Sequence, residues 1–185
     1  KDHRGGPYYS YFFALAEARN DHVLHLASDL LFGGGSPTWV SEAINHLAQH
    51  EDILFASPLP GPPRADGRLL DFPGKPSGEP GAFQFDGMST RLFLMSRRRF
   101  RARIGSLRTR RPGSWRHWLI ALLERNPVEE LPEQLFSDAM RANRMVRWDF
   151  LGRPPGMWSL HPPYRCSEFY RGLTEHLMTY MLGRG

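Results

Sequence analysis

The chain predicts an α/β fold with a mostly parallel sheet flanked by helices, and three observations carry that expectation. An apolar run from His22 to Ala27 is followed by glycines and then by a segment, Ser36 to Ala48, whose apolar residues recur at helical spacing. A second apolar run, Asp52 to Ser57, comes directly after it, so strand, helix and strand follow one another through short connections. Further on, Val146, Trp148 and Phe150 alternate with Arg147 and Asp149, as a strand with two different faces requires.

Each element has a local reason. Tyr8 to Asn20 carries Tyr8, Tyr11, Phe12, Leu15, Ala16 and Ala18 on one broad face and reaches a stop at Asn20-Asp21. After Gly33-Gly34-Gly35, Ser36 can cap a helix with Pro37 at its first position, and Val40, Ala43, Ile44, Leu47 and Ala48 form its stripe. Pro58 to Gly81 holds seven prolines and five glycines, a density that supports neither a helix nor a central strand, so it reads as a long loop within the domain. A loop of that length in a compact domain is functional or disordered, and a lid over a substrate is the sharper reading. Thr90 to Met95 reads as a strand. Ser114 to Arg125 reads as a helix with Trp115, Trp118, Leu119, Leu122 and Leu123 turned inward. Pro132 opens another helix carrying Leu135, Phe136, Ala139 and Met140; Met145 to Phe150 is a strand, and Ser167 to Leu182 a final amphipathic helix.

The bulk numbers fit one globular domain. In 185 residues, 41% hydrophobic and 12% aromatic content is enough for a sizeable core and excludes a disordered chain. The net charge of +5 is a local feature, because ten arginines and no acid lie between Arg91 and Arg116, and the remaining 14 basic residues face 19 acids. That run reads as a solvated basic face, or a contact for a diphosphate or a partner, rather than a nucleic-acid site, since no recognition motif accompanies it. Cys166 is alone, which excludes an internal disulfide framework and a cysteine-based zinc cluster. No apolar run reaches the length of a membrane span, and Lys1 to Gly6 lacks signal-peptide character, so the sequence predicts a soluble, cytoplasmic protein.

Candidate chemistry gathers at strand and helix ends. Asp29 follows an apolar strand, a place where a carboxylate can hold Mg²⁺ or Mn²⁺ against substrate phosphates, and where an aspartate also serves as a turn or cap residue. Gly33 and Gly34 suit either a phosphate cradle or a tight turn. No Walker A or dinucleotide fingerprint is present. His161 sits before two prolines in a rigid loop, and Glu133 in the first turn of its helix, as a dipole partner or as a general base.

Four of these segments together resemble a glycosyltransferase of the GT-A fold, similar to the inverting family 2 of nucleotide-sugar transferases. Phe13 to Leu26 resembles the helix and strand before that family's metal-binding Asp-x-Asp motif, which falls on Ala27-Ser28-Asp29. Met88 to Arg98 resembles the later strand beside the acceptor site. Pro132-Glu133-Gln134 resembles the Glu-Asp motif whose aspartate is the usual base, and Trp158-Ser159-Leu160-His161-Pro162 the terminal segment whose histidine can complete the metal shell.

The resemblance implies a Rossmann-like sheet and inverting transfer from a nucleoside diphosphate sugar to a hydroxyl acceptor. It implies a divalent cation, Mn²⁺ or Mg²⁺, on Asp29 and His161, with Ser28, Gly33 and Gly34 near the donor diphosphate. Glu133 is then the acidic candidate for catalysis, and Arg91 and Trp158 lie on the acceptor side. The chain departs from the pattern where Ala27 replaces the first aspartate and Gln134 the base. Asp29 also stands so near the first residue that the family's nucleotide-binding strands are expected either to lie upstream of this sequence or to have been lost together with donor binding. A noncatalytic, degenerate transferase acting as a scaffold is the competing expectation, and a basic nucleic-acid-binding domain using Arg91 to Arg116 a weaker one.

Overall fold

The computed structural model describes residues 2–6, 8–63, 74–161, 171–175 and 178. Residues 64–73 of the proline- and glycine-rich stretch lie outside the described residues, as does most of the expected final helix Ser167 to Leu182, of which 171–175 and 178 are helical.

A six-stranded mixed sheet forms the centre. In chain order its strands are β1 (His22–Leu26), β3 (Ile53–Pro58), β4 (Lys75–Pro76), β5 (Ala82–Phe85), β6 (Leu92–Ser96) and β7 (Val146–Phe150), arranged in space as β1-β6-β3-β7-β5-β4. β2 (Leu31–Gly33) and β8 (Trp158–Leu160) pair separately as an antiparallel ribbon. The helices are α1 (Tyr8–Glu17), α2 (Trp39–Gln49), α3 (Arg97–Arg103), α4 (Trp115–Leu123) and α5 (Pro132–Ala142).

The expected mostly parallel sheet is corrected to a mixed one. Among the strands of the described residues only β3 and β7 pair in parallel, apart from an isolated parallel bridge between Leu59 and Trp158; β6 runs antiparallel to both β1 and β3 and lies between them. The strand, helix, strand unit is therefore present with a strand inserted, a non-local pairing that local periodicity cannot reveal. Its helix also starts later than expected, because Thr38 rather than Ser36 takes the cap position, and Ser36 is buried with its Oγ accepting from the Thr38 N–H at 3.4 Å.

Both faces of the sheet are covered. On one, Trp39, Ala43 and Leu47 of α2 pack on Ile53, Ala56, Leu92, Leu94, Trp148 and Phe150, and the Trp39 indole N–H donates to the Phe150 carbonyl at 3.1 Å. On the other, Phe136 and Met140 of α5 pack on Leu54, Phe55, Phe93 and Met95, with Phe12 and Leu15 of α1 against them. Burial on two sides explains why all six residues of β3 are buried.

One further expectation changes. The apolar side of α4 is not inward: Trp115, Leu122 and Leu123 are 70%, 67% and 74% exposed, Trp118 and Leu119 are exposed as well, and Ala121 is the buried residue of the helix. The helix is apolar on nearly every side, so its periodicity identifies no unique covered face. The arginine run is for the most part the exposed basic face expected, with Arg97 and Arg99 built into the framework instead. Arg97 donates to the carbonyls of Ala16 and Ala18 at the end of α1. Arg99 donates to Leu47, His50 and Ile53 around the end of α2, where helix carbonyls lack intrahelical partners.

Candidate functional site

The ribbon of β2 and β8 sets the geometry. Its register places Leu31 opposite Leu160 and Gly33 opposite Trp158, so the chain just before β2 meets the chain just after β8. There the Asp29 carboxylate and the His161 Nε2 lie 3.2 Å apart, the aspartate half exposed and the histidine largely covered. Residues distant in sequence are thus neighbours because two short strands pair.

The glycines make that pairing possible. A Cβ at Gly33 would fall 1.9 Å from the Trp158 ring, and one at Gly34, whose φ is +83°, would fall 2.3 Å from the Gly156 carbonyl oxygen. Glycine is required at Gly33 by close approach and at Gly34 by both approach and backbone conformation. These two residues and buried Trp158 are therefore the packed hinge of the ribbon. Ser28 is exposed on the turn leading to Asp29.

Beside the ribbon is a cavity of about 370 Å³ whose wall includes His161, Arg91 and Glu133. Glu133, half-buried in the first turn of α5, accepts from both the N–H and the hydroxyl of Thr90 at 2.9 Å through the same oxygen. Lower on the helix, the Ser137 hydroxyl donates to the Glu133 carbonyl at 2.6 Å and accepts from the Met88 N–H at 2.8 Å. The segment 88–90 is thereby clamped to α5, and exposed Arg91 continues from it onto the cavity rim. His25 of β1 reaches the same clamp. Its burial lowers its pKa from the ordinary 6.5, opposed by a hydrogen bond with the Thr90 backbone.

The wall also holds a pair that sequence reading left out of the site. Arg147 and Asp149 alternate on β7 and share one face, joined by two hydrogen bonds of 2.8 and 3.0 Å. Both are buried, and the Arg147 guanidinium also donates to the Gly87 carbonyl at 3.0 Å and lies 4.3 Å over the Phe85 ring. Burial pushes the Asp149 carboxyl up to about 6, while the charge and hydrogen bonds of Arg147 pull the other way. The signal was available: an oppositely charged pair two residues apart in an otherwise apolar central strand must be paired on one face to be buried at all.

The structure therefore brings Asp29 to His161 and sets His161, Glu133 and Arg91 around one cavity. It does not bring Asp29, Ser28, Gly33, Gly34 or Trp158 to that cavity's wall. Gln134 points to the surface, where its side-chain amide donates to Asp138 at 2.9 Å. Chemically, the arrangement offers one carboxylate and one imidazole for a cation, a second carboxylate with a fixed orientation, and an arginine on the rim.

No protein-family model matches the chain, and no curated protein and no solved structure is significantly similar to it. Among the described residues no helix is long and apolar enough to cross a membrane.

Proposed function

We propose that the chain is a sugar transferase site: a nucleoside diphosphate sugar donates its sugar to a hydroxyl acceptor, with inversion, beside a divalent cation held by Asp29 and His161. The observation that carries this reading is the 3.2 Å approach of Asp29 to His161, whose side chain lines the cavity that also holds Glu133. Ligand atoms about 2.1 Å from an octahedral Mg²⁺ or Mn²⁺ stand about 3 Å apart when adjacent, so the pair fits such an ion with little movement. Bound there, the cation supplies charge stabilisation for the departing diphosphate.

The protein's own groups do the rest. Asp29 and His161 hold the donor end, and the exposed half of Asp29 leaves its carboxylate open to solvent-borne ligands. Glu133, with one oxygen occupied by Thr90, presents its other oxygen to the acceptor hydroxyl and takes that proton as the hydroxyl oxygen bonds to the anomeric carbon and the diphosphate leaves. Arg91 on the rim favours the negative charge of a phosphate-bearing ligand.

The test is a titration of the chain with Mn²⁺ in the presence and absence of pyrophosphate or UDP, followed by calorimetry. Diphosphate is expected to tighten Mn²⁺ binding, and Asp29→Ala and His161→Ala are each expected to weaken it by at least about tenfold. Pyrophosphate serves because it reports the ion and diphosphate pair without depending on a nucleoside pocket. Binding that ignores the diphosphate, or survives both substitutions unchanged, sinks the reading.

A further inference from the structure

A second group of ligating side chains lies away from the cavity. His3, in a turn held by hydrogen bonds from the Arg4 and Gly6 N–H groups to Asp2 at 2.9 Å, is wholly buried. Its ring is stacked 4.5 Å from that of His117 on α4, at an angle of 17°. Glu130 is buried beside them, just ahead of α5, and the ligand atoms of the three residues all lie within 4.8 Å of one another.

The tautomer of His3 is decided by its partner. Its Nδ1 lies 2.9 Å from the Glu129 carbonyl oxygen, which can only accept, so Nδ1 carries the proton and Nε2 bears a lone pair. That Nε2 is buried and has no hydrogen-bond partner among the described residues. A buried acceptor left without a partner is costly, and an imidazole fixed through Nδ1–H to a backbone carbonyl is how a metal-bound histidine is ordinarily oriented. Glu130 accepts from the Leu131 N–H through one oxygen at 3.0 Å, which orients the carboxylate and leaves its second oxygen for a ligand.

We propose that His3, His117 and Glu130 form a zinc site, with His3 Nε2, a ring nitrogen of His117 and a carboxylate oxygen of Glu130 as the protein ligands. Two imidazoles and one carboxylate are a donor set that Zn²⁺ takes, with a fourth position left for water. Tetrahedral ligands at about 2.1 Å from zinc stand about 3.4 Å apart, so side-chain adjustments of an ångström or so close the site. The ion ties three segments together: the turn at 2–6, α4, and the residues that lead into α5. Two of these segments are already joined without the ion, since the His3 N–H donates to the Glu129 carbonyl at 3.0 Å. None of the three ligands lines the cavity with Glu133, so this site stands apart from the transferase reading.

The experiment is calorimetric titration of the metal-stripped full chain with Zn²⁺ alone, joined to X-ray absorption at the zinc edge. One tight site per chain is expected, its affinity lowered at least about 100-fold in His3→Ala and in His117→Ala. Asp29→Ala is expected to leave it unchanged, as is His46→Ala, which alters a third group in which ligand atoms of His46, His50 and Glu79 lie within 4.8 Å of one another. Absorption on the unsubstituted chain should show two imidazoles and light oxygen ligands, an observation that stands even if His3→Ala fails to fold. The proposal is overturned if the unsubstituted chain takes no Zn²⁺, which would make the buried nitrogen a water site only. It is equally overturned if binding persists in His117→Ala and disappears in Asp29→Ala or His46→Ala.

Discussion

Two opposed forces meet at Asp149. Full burial raises its carboxyl from 3.8 to about 6, and the Arg147 guanidinium, bonded to both its oxygens, lowers it. Because the folded chain holds this proton more tightly than the unfolded chain, the group's contribution to stability is complete below pH 3.8 and is lost as pH rises through about 6. A carbon-13 titration of the Asp149 carboxyl is expected to show a midpoint near 6, and Asp149→Asn to remove that part of the slope from the pH profile of stability. Arg147→Met should move the midpoint upward, since it removes the lowering influence; a midpoint below 4 in the unsubstituted chain would contradict the account. At this scale the sequence was read correctly as to faces, with Arg147 and Asp149 opposite Val146, Trp148 and Phe150. What it could not reveal is that the charged face is covered too, because coverage depends on β5 and the segment at Gly87.

The pairing of β2 with β8 shows what an element contributes beyond its side chains. A substitution at Gly33 touches neither Asp29 nor His161, yet any Cβ there runs into the Trp158 ring and forces the ribbon apart. Gly33→Ala is expected to cost about 1–3 kcal/mol in urea denaturation and to weaken Mn²⁺ binding in the presence of pyrophosphate. Unchanged affinity in a destabilised variant would show that the ribbon does not govern the site. Neither strand was legible beforehand. Leu31 to Gly33 runs into the glycines and Trp158 to Leu160 into the rigid loop at His161, and three residues carry too little alternation to betray a strand whose partner is far along the chain. The longer elements were legible for the opposite reason: α2 and α5 repeat their apolar residues over three turns, and β3 is a continuous apolar run. For α4 the same kind of pattern misled, because an apolar helix face says nothing about whether another element covers it.

For the whole molecule, local patterns identified an α/β architecture with helices on both faces, while strand order and direction came only with the structure. The expectation of a mostly parallel sheet rested on β1, α2 and β3, whose directions do agree; the insertion of β6 between them turns both contacts antiparallel. Spatial order then ranks the strands by how much must open to free them. β3 is paired on both sides and buried throughout, whereas β1 and β4 stand at the two edges and each has a single neighbour. Amide hydrogens of β3 are therefore expected to exchange with solvent deuterium only through global unfolding, and those of β1 and β4 through local opening at lower free energy. Mass-resolved exchange, in which equal protection of β1 and β3 would count against this order, should find the strand that delivers Asp29 to be the looser one. The carboxylate then sits at the end of a segment that can shift without disturbing the centre of the sheet, a compliance that Glu133, held by two hydrogen bonds from Thr90, does not share.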